Sequence, residues 1–222
     1  MRRPISVSSS KMPMLMEVTS PEDLSEVNLV EPVIFKLPMA LQKESDFLKY
    51  IDLLNKARLD EISGAEAKLR FIKTRGLVNI LFSLDNSGAD PIWKLNNYGK
   101  PYIEGWDKDF SISHTRDISL LAVASEAIGV DIEDNSRDID LEKFKRTKFL
   151  NFDEGAYESK EEFLMRFTAL EAYLKYIGKG FHKDARAISV KKIDDGIVID
   201  DDKVIKAEVI SDGAYTIAVV MR

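Results

Sequence analysis

The chain has 222 residues, 45% of them hydrophobic and 32% charged, with a formal net charge of −6 and no cysteine. That length and apolar content suffice for one large domain or two small ones. The acidic balance argues against a nucleic-acid binder, and the missing cysteines exclude disulfides, thiolate metal sites and cysteine nucleophiles. Two histidines leave oxygen chemistry as the main resource. Pro4 and the run Ser8-Ser9-Ser10 interrupt any signal-like apolar stretch after Arg2-Arg3, and no segment reaches the roughly 18 apolar residues that span a bilayer. A cytoplasmic protein without membrane segments is the expectation.

Residues 1–26 mix Ser, Pro, Met and acids without periodicity and read as a loosely ordered arm. Val33-Ile34-Phe35 ahead of Pro38 reads as a strand. Helical apolar spacing follows over Glu44–Asn55 and Ala65–Phe82, with Gly64 between. Turn clusters at 86–91 and 96–101 lead to two adjacent strands, Phe110–Ser113 and Ile118–Ala124. The second half opens with Ile128-Gly-Val-Asp-Ile-Glu133, runs through helical stretches to Ile177, and closes on a strand at Tyr215–Met221. Leu121-Ala-Val123 and Ile217-Ala-Val219 each follow an Asp-bearing turn at an offset of 96 residues, which raises an internal duplication. The domain reading is therefore an arm (1–26), an N-terminal half (27–125) and a C-terminal half (126–222).

Several residues carry potential chemistry. Asp131 and Glu133 alternate on a strand, so both carboxylates lie on one face; their repulsion would be relieved by a hard cation such as Mg²⁺. In the helix over Glu161–Ile177, Phe163, Phe167, Leu170, Leu174 and Ile177 form the core stripe, with Glu171 and Lys175 one turn apart at its edge. Read alone, Asp131 and Glu133 suit an exposed strand edge better than a metal site, and Glu171–Lys175 an ordinary helix ion pair. His114, between Ser113 and Thr115 at the end of a strand, offers an imidazole beside two hydroxyls to a phosphate. Lys56, Arg58, Lys68, Arg70, Lys73 and Arg75 form a basic stretch in this acidic chain, and Lys143, Lys145, Arg146 and Lys148 a second.

In order, these pieces resemble the phosphopantetheinyl transferases of the surfactin-synthetase-activating type. Gly99-Lys-Pro101 is similar to that family's Gly-Lys-Pro turn, Phe110-Ser-Ile-Ser-His114 to its Phe-x-Ile-Ser-His motif, and Gly129-Val-Asp-Ile-Glu133 to its Gly-Val-Asp-Ile-Glu motif. Phe167-Thr-Ala-Leu-Glu-Ala-Tyr-Leu-Lys175 resembles its Trp-Thr-x-Lys-Glu-Ala-x-x-Lys helix. The resemblance implies an α+β fold of two similar halves related by a pseudo-twofold axis, with coenzyme A and Mg²⁺ bound between them. It implies a monomeric, Mg-dependent enzyme that moves 4′-phosphopantetheine from coenzyme A to a serine of an acidic apo acyl or peptidyl carrier protein, releasing 3′,5′-ADP. Asp131, Glu133 and Glu171 would be the metal ligands. Lys175 would contact the phosphates, His114 the 3′-phosphate, Lys100 would line the nucleotide pocket, and Arg75 would be a further phosphate ligand. Glu171, directly or through a water, would accept the serine proton. Leu170 stands where the family has lysine and Phe167 where it has tryptophan. The lost lysine motivates an alternative, a coenzyme A or carrier-protein binder without efficient transfer, with Lys179 or Lys183 as the cations that would compensate.

Overall fold

The structure is a computed structural model describing residues 12–40, 43–148, 150–194 and 196–222. It has a mixed α+β architecture and divides into two compact units, Pro13–Glu126 and one built on Ala127–Arg222.

The first unit runs β1 (Met14–Glu17), β2 (Val33–Pro38), α1 (Glu44–Leu48), α2 (Leu53–Glu61), α3 (Ala65–Asp85), β3 (Trp93–Leu95), β4 (Pro101–Ile103), β5 (Asp109–His114) and β6 (Ile118–Ala124). Its sheet has the order β1-β2-β6-β5, parallel at β1–β2 and antiparallel elsewhere. Every residue of β6 is buried, as suits a strand with a neighbour on each side. The core joins Phe35, Leu37, Leu121 and Val123 of the sheet to Leu77, Val78 and Leu81 of α3. Gly76 lets α1 approach α3, since a Cβ there would stand 2.8 Å from the Phe47 carbonyl oxygen.

Two sequence expectations change here. Residues 13–26 of the expected arm are folded: β1 pairs with β2, a 3-10 turn spans Pro21–Leu24, and Val18 and Leu24 are fully buried. The amides of Thr19 and Ser20 donate to Asp23 Oδ2 at 2.7 and 2.9 Å. A four-residue strand and a single turn are too short to leave a periodic pattern. Residues 1–11 lie outside the described residues. The helix expected over 44–55 is two helices, because Asp52 caps α2 by accepting from the Asn55 amide at 2.9 Å while Asn79 Nδ2 holds the Tyr50 carbonyl at 2.7 Å.

The second unit runs β7 (Ile128–Asp134), α4 (Leu141–Thr147), β8 (Asn151–Phe152), α5 (Lys160–Tyr176), β9 (Ser189–Ile193), β10 (Gly196–Asp200), β11 (Val204–Ser211) and β12 (Tyr215–Met221). Its six strands have the order β7-β12-β11-β10-β9-β8. The sequence strand–helix–antiparallel hairpin, whose last strand returns beside the first, is therefore built twice: β2, α3, β5–β6 and again β7, α5, β11–β12. The matching tripeptides lie in β6 and β12, each flanked by strands on both sides.

Ser159 caps α5 by accepting from the Glu162 amide at 3.1 Å. The helix covers one face of the sheet, with Leu170, Leu174, Ala169 and Ala172 packed among Ala218, Val220, Ala207, Ile197 and Val190. Phe167 stacks on Phe163 (centroids 5.6 Å apart, planes 13° apart), so phenylalanine fills this site as part of an aromatic cluster with Phe144. The closest approach is at Gly129. A Cβ there would lie 2.0 Å from the Ala172 carbonyl oxygen and 2.5 Å from the Tyr176 nitrogen, both backbone atoms of α5. Gly129→Ala is expected to lower stability by about 3 kcal/mol or more through forced helix displacement, read as a reduced urea midpoint; an unchanged midpoint would refute this packing role.

Candidate active site

Because α5 sits on Gly129, its next exposed-edge residues lie over the next outward positions of β7. Asp131 and Glu133 share the strand face of Gly129, and Val130 and Ile132 are buried on the other. Lys175 of α5 reaches Asp131, its Nζ donating to Oδ1 at 2.7 Å. Glu133 forms an ion pair with Arg137 Nη1. Glu171 lies within electrostatic range of both strand carboxylates and of Lys175 and Arg137.

Burial sets the electrostatics. The Glu171 carboxyl is pushed up to about 7, first by burial and then by the Asp131 charge, with Lys175 opposing. Glu133 is raised above the usual carboxylate range by burial, with its hydrogen bond from Arg137 pulling the other way. Three acids crowded beside two cations form an anionic patch on a strand edge under a helix.

The three carboxylates are hard oxygen donors of the kind Mg²⁺ takes. Among the described residues, no group of three or more metal-ligating side chains converges into a cage; Asp131 is turned to Lys175 and Glu133 to Arg137. Mg²⁺ ordinarily uses one or two carboxylates and completes its shell with phosphate oxygens and water. The donor set fits an ion shared with a phosphate-bearing substrate.

Position 170 is resolved by packing. Leu170 is fully buried in the core between helix and sheet, so its side chain does not flank the carboxylates, and leucine there supports the core. Of the cations named as substitutes, Lys183 is held by Asp201 at 2.8 Å and Asp202 at 3.6 Å.

The first unit places the remaining residues. Arg75 lines a pocket of about 350 Å³ with Leu54, Asn55, Arg58, Trp93, Lys94, Leu95 and Pro101. Its guanidinium lies 4.2 Å from the Trp93 ring centroid, and its Nη1 is buried with no hydrogen-bond partner. Burial, then the charge of Arg58, pulls Arg75 down to about 10. Lys100 itself turns to Asp109 (2.6 Å) while its neighbour Pro101 lines the pocket. His114 is exposed at the end of β5, on the face shared with Phe110 and Ile112; Ser113 is buried on the opposite face. The two are therefore not brought to one side, and the Thr115 hydroxyl lies 3.3 Å from the Ile118 amide that donates to it in the β5–β6 turn. Sequence reasoning missed Arg137 and Trp93 and gave Arg58 no role beyond its basic run. The signal for Arg137 was its cation four residues past Glu133.

Residues 127–220, the stretch that carries Asp131, Glu133, Glu171 and Lys175, match the family model of the 4′-phosphopantetheinyl transferase superfamily. The chain is 32% identical over 95 residues (41% of this chain, 40% of the relative) to the 4′-phosphopantetheinyl transferase gsp of Aneurinibacillus migulanus. It is 31% identical over 122 residues (53% of this chain, 54% of the relative) to the 4′-phosphopantetheinyl transferase of Bacillus subtilis. The chain thus spans about half the length of these curated relatives. Among the described residues, no helix is long and apolar enough to cross a membrane.

A carboxyl raised from 4.5 in the unfolded chain to about 7 in the folded one makes the native state bind the extra proton between those values. Stability from this group is therefore fully present below about pH 4.5 and is lost as pH rises through 7. Relative to wild type in EDTA, Glu171→Gln should gain on the order of 1–3 kcal/mol between pH 5 and pH 8. Denaturant melts at the two pH values check this, and parallel curves for the two proteins would contradict it.

Proposed function

We propose that this chain transfers 4′-phosphopantetheine from coenzyme A to a serine of an apo carrier protein, releasing 3′,5′-ADP. The observation that carries the reading is the placement of Glu171: a partly buried carboxyl of α5 set beside Asp131 and Glu133 of β7 in the stretch that matches the superfamily. As a carboxylate at the reacting centre, Glu171 would accept the proton of the attacking hydroxyl, directly or through a water. The names of the two relatives, both 4′-phosphopantetheinyl transferases, support the same chemistry.

Asp131, Glu133 and Glu171 would hold a Mg²⁺ ion, which when bound supplies positive charge to the pyrophosphate of coenzyme A. Lys175, already fixed by Asp131, presents a second cation one helical turn from Glu171 for the phosphate that leaves. The Arg75 pocket, with Arg58 and Lys94 around an aromatic wall and an unsatisfied guanidinium nitrogen, suits a phosphate carried on an apolar-faced group such as a nucleotide. Lys100 and His114 are assigned to the same nucleotide. Phosphoryl transfer of this kind rests mainly on positioning and charge neutralisation, which these residues provide.

For the acceptor, α4 has no buried residue and presents Lys143, Lys145 and Arg146, with Lys148 at its C-cap. A cleft of about 300 Å³ beside it is lined by Lys145, Lys148, Arg186, Tyr157 and Glu154, with Lys145 paired to Glu154 at 2.8 Å. An acidic carrier protein complements that surface. The alternative of a binder without transfer drew on Leu170, and a buried leucine behind the site gives it no support.

Incubation with coenzyme A, Mg²⁺ and a panel of apo acyl and peptidyl carriers should add one phosphopantetheine to a carrier, seen by intact-protein mass spectrometry. Glu171→Gln should lower kcat by roughly 10²–10³-fold with the fold retained. Coenzyme A bound without mass gain on any carrier would sink the transferase reading.

Arg75→Ala removes a charged contact to the nucleotide, and the KM for coenzyme A should rise roughly tenfold or more with kcat little changed. Steady-state kinetics test this; a fall in kcat at constant KM would move Arg75 out of the binding role.

A further inference from the structure

The turn that leaves β7 is tied down more heavily than a surface connection requires. Asn135 donates its amide to the Ala214 carbonyl at 2.9 Å and its Nδ2 to Ser211 Oγ at 3.1 Å, and accepts from Thr216 Oγ1 at 2.8 Å. Thr216 is fully buried and is the cross-strand partner of Glu133. The Ser136 amide donates to Asp134 Oδ1 at 2.7 Å, and the Arg137 amide to the Asp134 carbonyl at 3.2 Å. Lys160, the first residue of α5, reaches the Arg137 carbonyl at 3.4 Å. This set of bonds fixes the chain reversal that returns the Arg137 side chain to Glu133, four residues back.

The contact itself is single: Nη1 of Arg137 meets Oε2 of Glu133. A carboxylate offers two oxygens with about four lone-pair sites, so one such bond orients the group and leaves Oε1 for another ligand. The two partners also differ in exposure, 46% for the Arg137 side chain and 16% for Glu133. The guanidinium is thus the more exposed partner and the carboxylate the more buried, on the strand face it shares with Asp131.

We propose that Arg137 is the positioning residue of the carboxylate pair: held by the Asp134–Ser136 turn, it fixes Glu133 from outside so that the second carboxylate oxygen is presented to a divalent cation. This rests on the reading of Asp131, Glu133 and Glu171 as metal ligands. Carboxylates that bind metals are themselves hydrogen-bonded from outside, and removal of such partners costs roughly 10–100-fold in metal affinity. The opposite role is also defined: an arginine that competed with the metal for Glu133 would, on removal, leave a tighter site.

Mn²⁺ titrated into chelator-stripped protein, followed by the EPR signal of the free ion, separates these roles without reference to catalysis. Arg137→Gln should bind Mn²⁺ roughly 10–100-fold more weakly than wild type. Arg137→Lys, which can supply one bond without the planar fork, should recover part of the loss. In a Glu133→Gln background, adding Arg137→Gln should change affinity by less than about twofold, because the shared interaction is already gone. Unchanged or tighter Mn²⁺ binding by a folded Arg137→Gln overturns the proposal. If that variant fails to unfold cooperatively, Arg137→Lys decides, with wild-type affinity again overturning it. Wild-type protein that binds no Mn²⁺, either alone or, when coenzyme A is added, beyond what coenzyme A itself holds, defeats the metal reading and the inference with it.

Discussion

Helix α5 rests on strand β7 at a point where the strand has no side chain. With Ala172 and Tyr176 backbone atoms occupying the space of a Cβ at Gly129, the helix lies closer to the sheet than any other residue would permit. Two strand positions further, the same face carries Asp131 and then Glu133, and the same stretch of helix carries Glu171 and Lys175. Close packing thus forces the acids into partial burial, where water screens them poorly and each feels the others. The raised Glu171 carboxyl follows from that geometry, and so does the need for Lys175 and Arg137 as neighbours.

Such crowding is costly unless the helix is held against it, and α5 is anchored near both ends. Near its start, the buried Arg166 bridges Glu162 at 2.9 Å and Asp153 at 3.1 Å, and Phe163 and Phe167 pack with Phe144. Near its end, the Tyr173 hydroxyl donates to Asp201 at 2.9 Å, and Asp201 is also paired with Lys183 from the segment after the helix. Buried or half-buried ion pairs of this kind add little net stability but are expensive to break singly. They fix where the helix lies, which is what the carboxylate patch requires.

Much of this was readable from the residues. The alternation of Asp131 and Glu133 on a strand, the helix around Glu171 and Lys175, and the hairpin ending at Ala124 all carry strong local periodicity, and the structure contains each of them. What escaped depends on contacts distant in sequence or on elements too short to repeat. β1 is a four-residue strand whose identity comes from pairing with β2. The break before α2 comes from Asp52 and Asn79, 27 residues apart. Leu170 looked like a lost cation against the family pattern, although its helical spacing already put it in the core stripe, where the structure places it. Trp93 and Arg75 meet only in the folded chain.

That last contact gives the protein an optical property of its own. Of its two tryptophans, Trp106 is buried with its indole nitrogen bonded to Asp85, while Trp93 lies half-buried under the Arg75 guanidinium at the wall of the cationic pocket. Indole emission responds to the position of a nearby charge. An anion that draws the guanidinium off the ring would change the emission of Trp93, and replacing Trp106 by phenylalanine would isolate that signal in unlabelled protein.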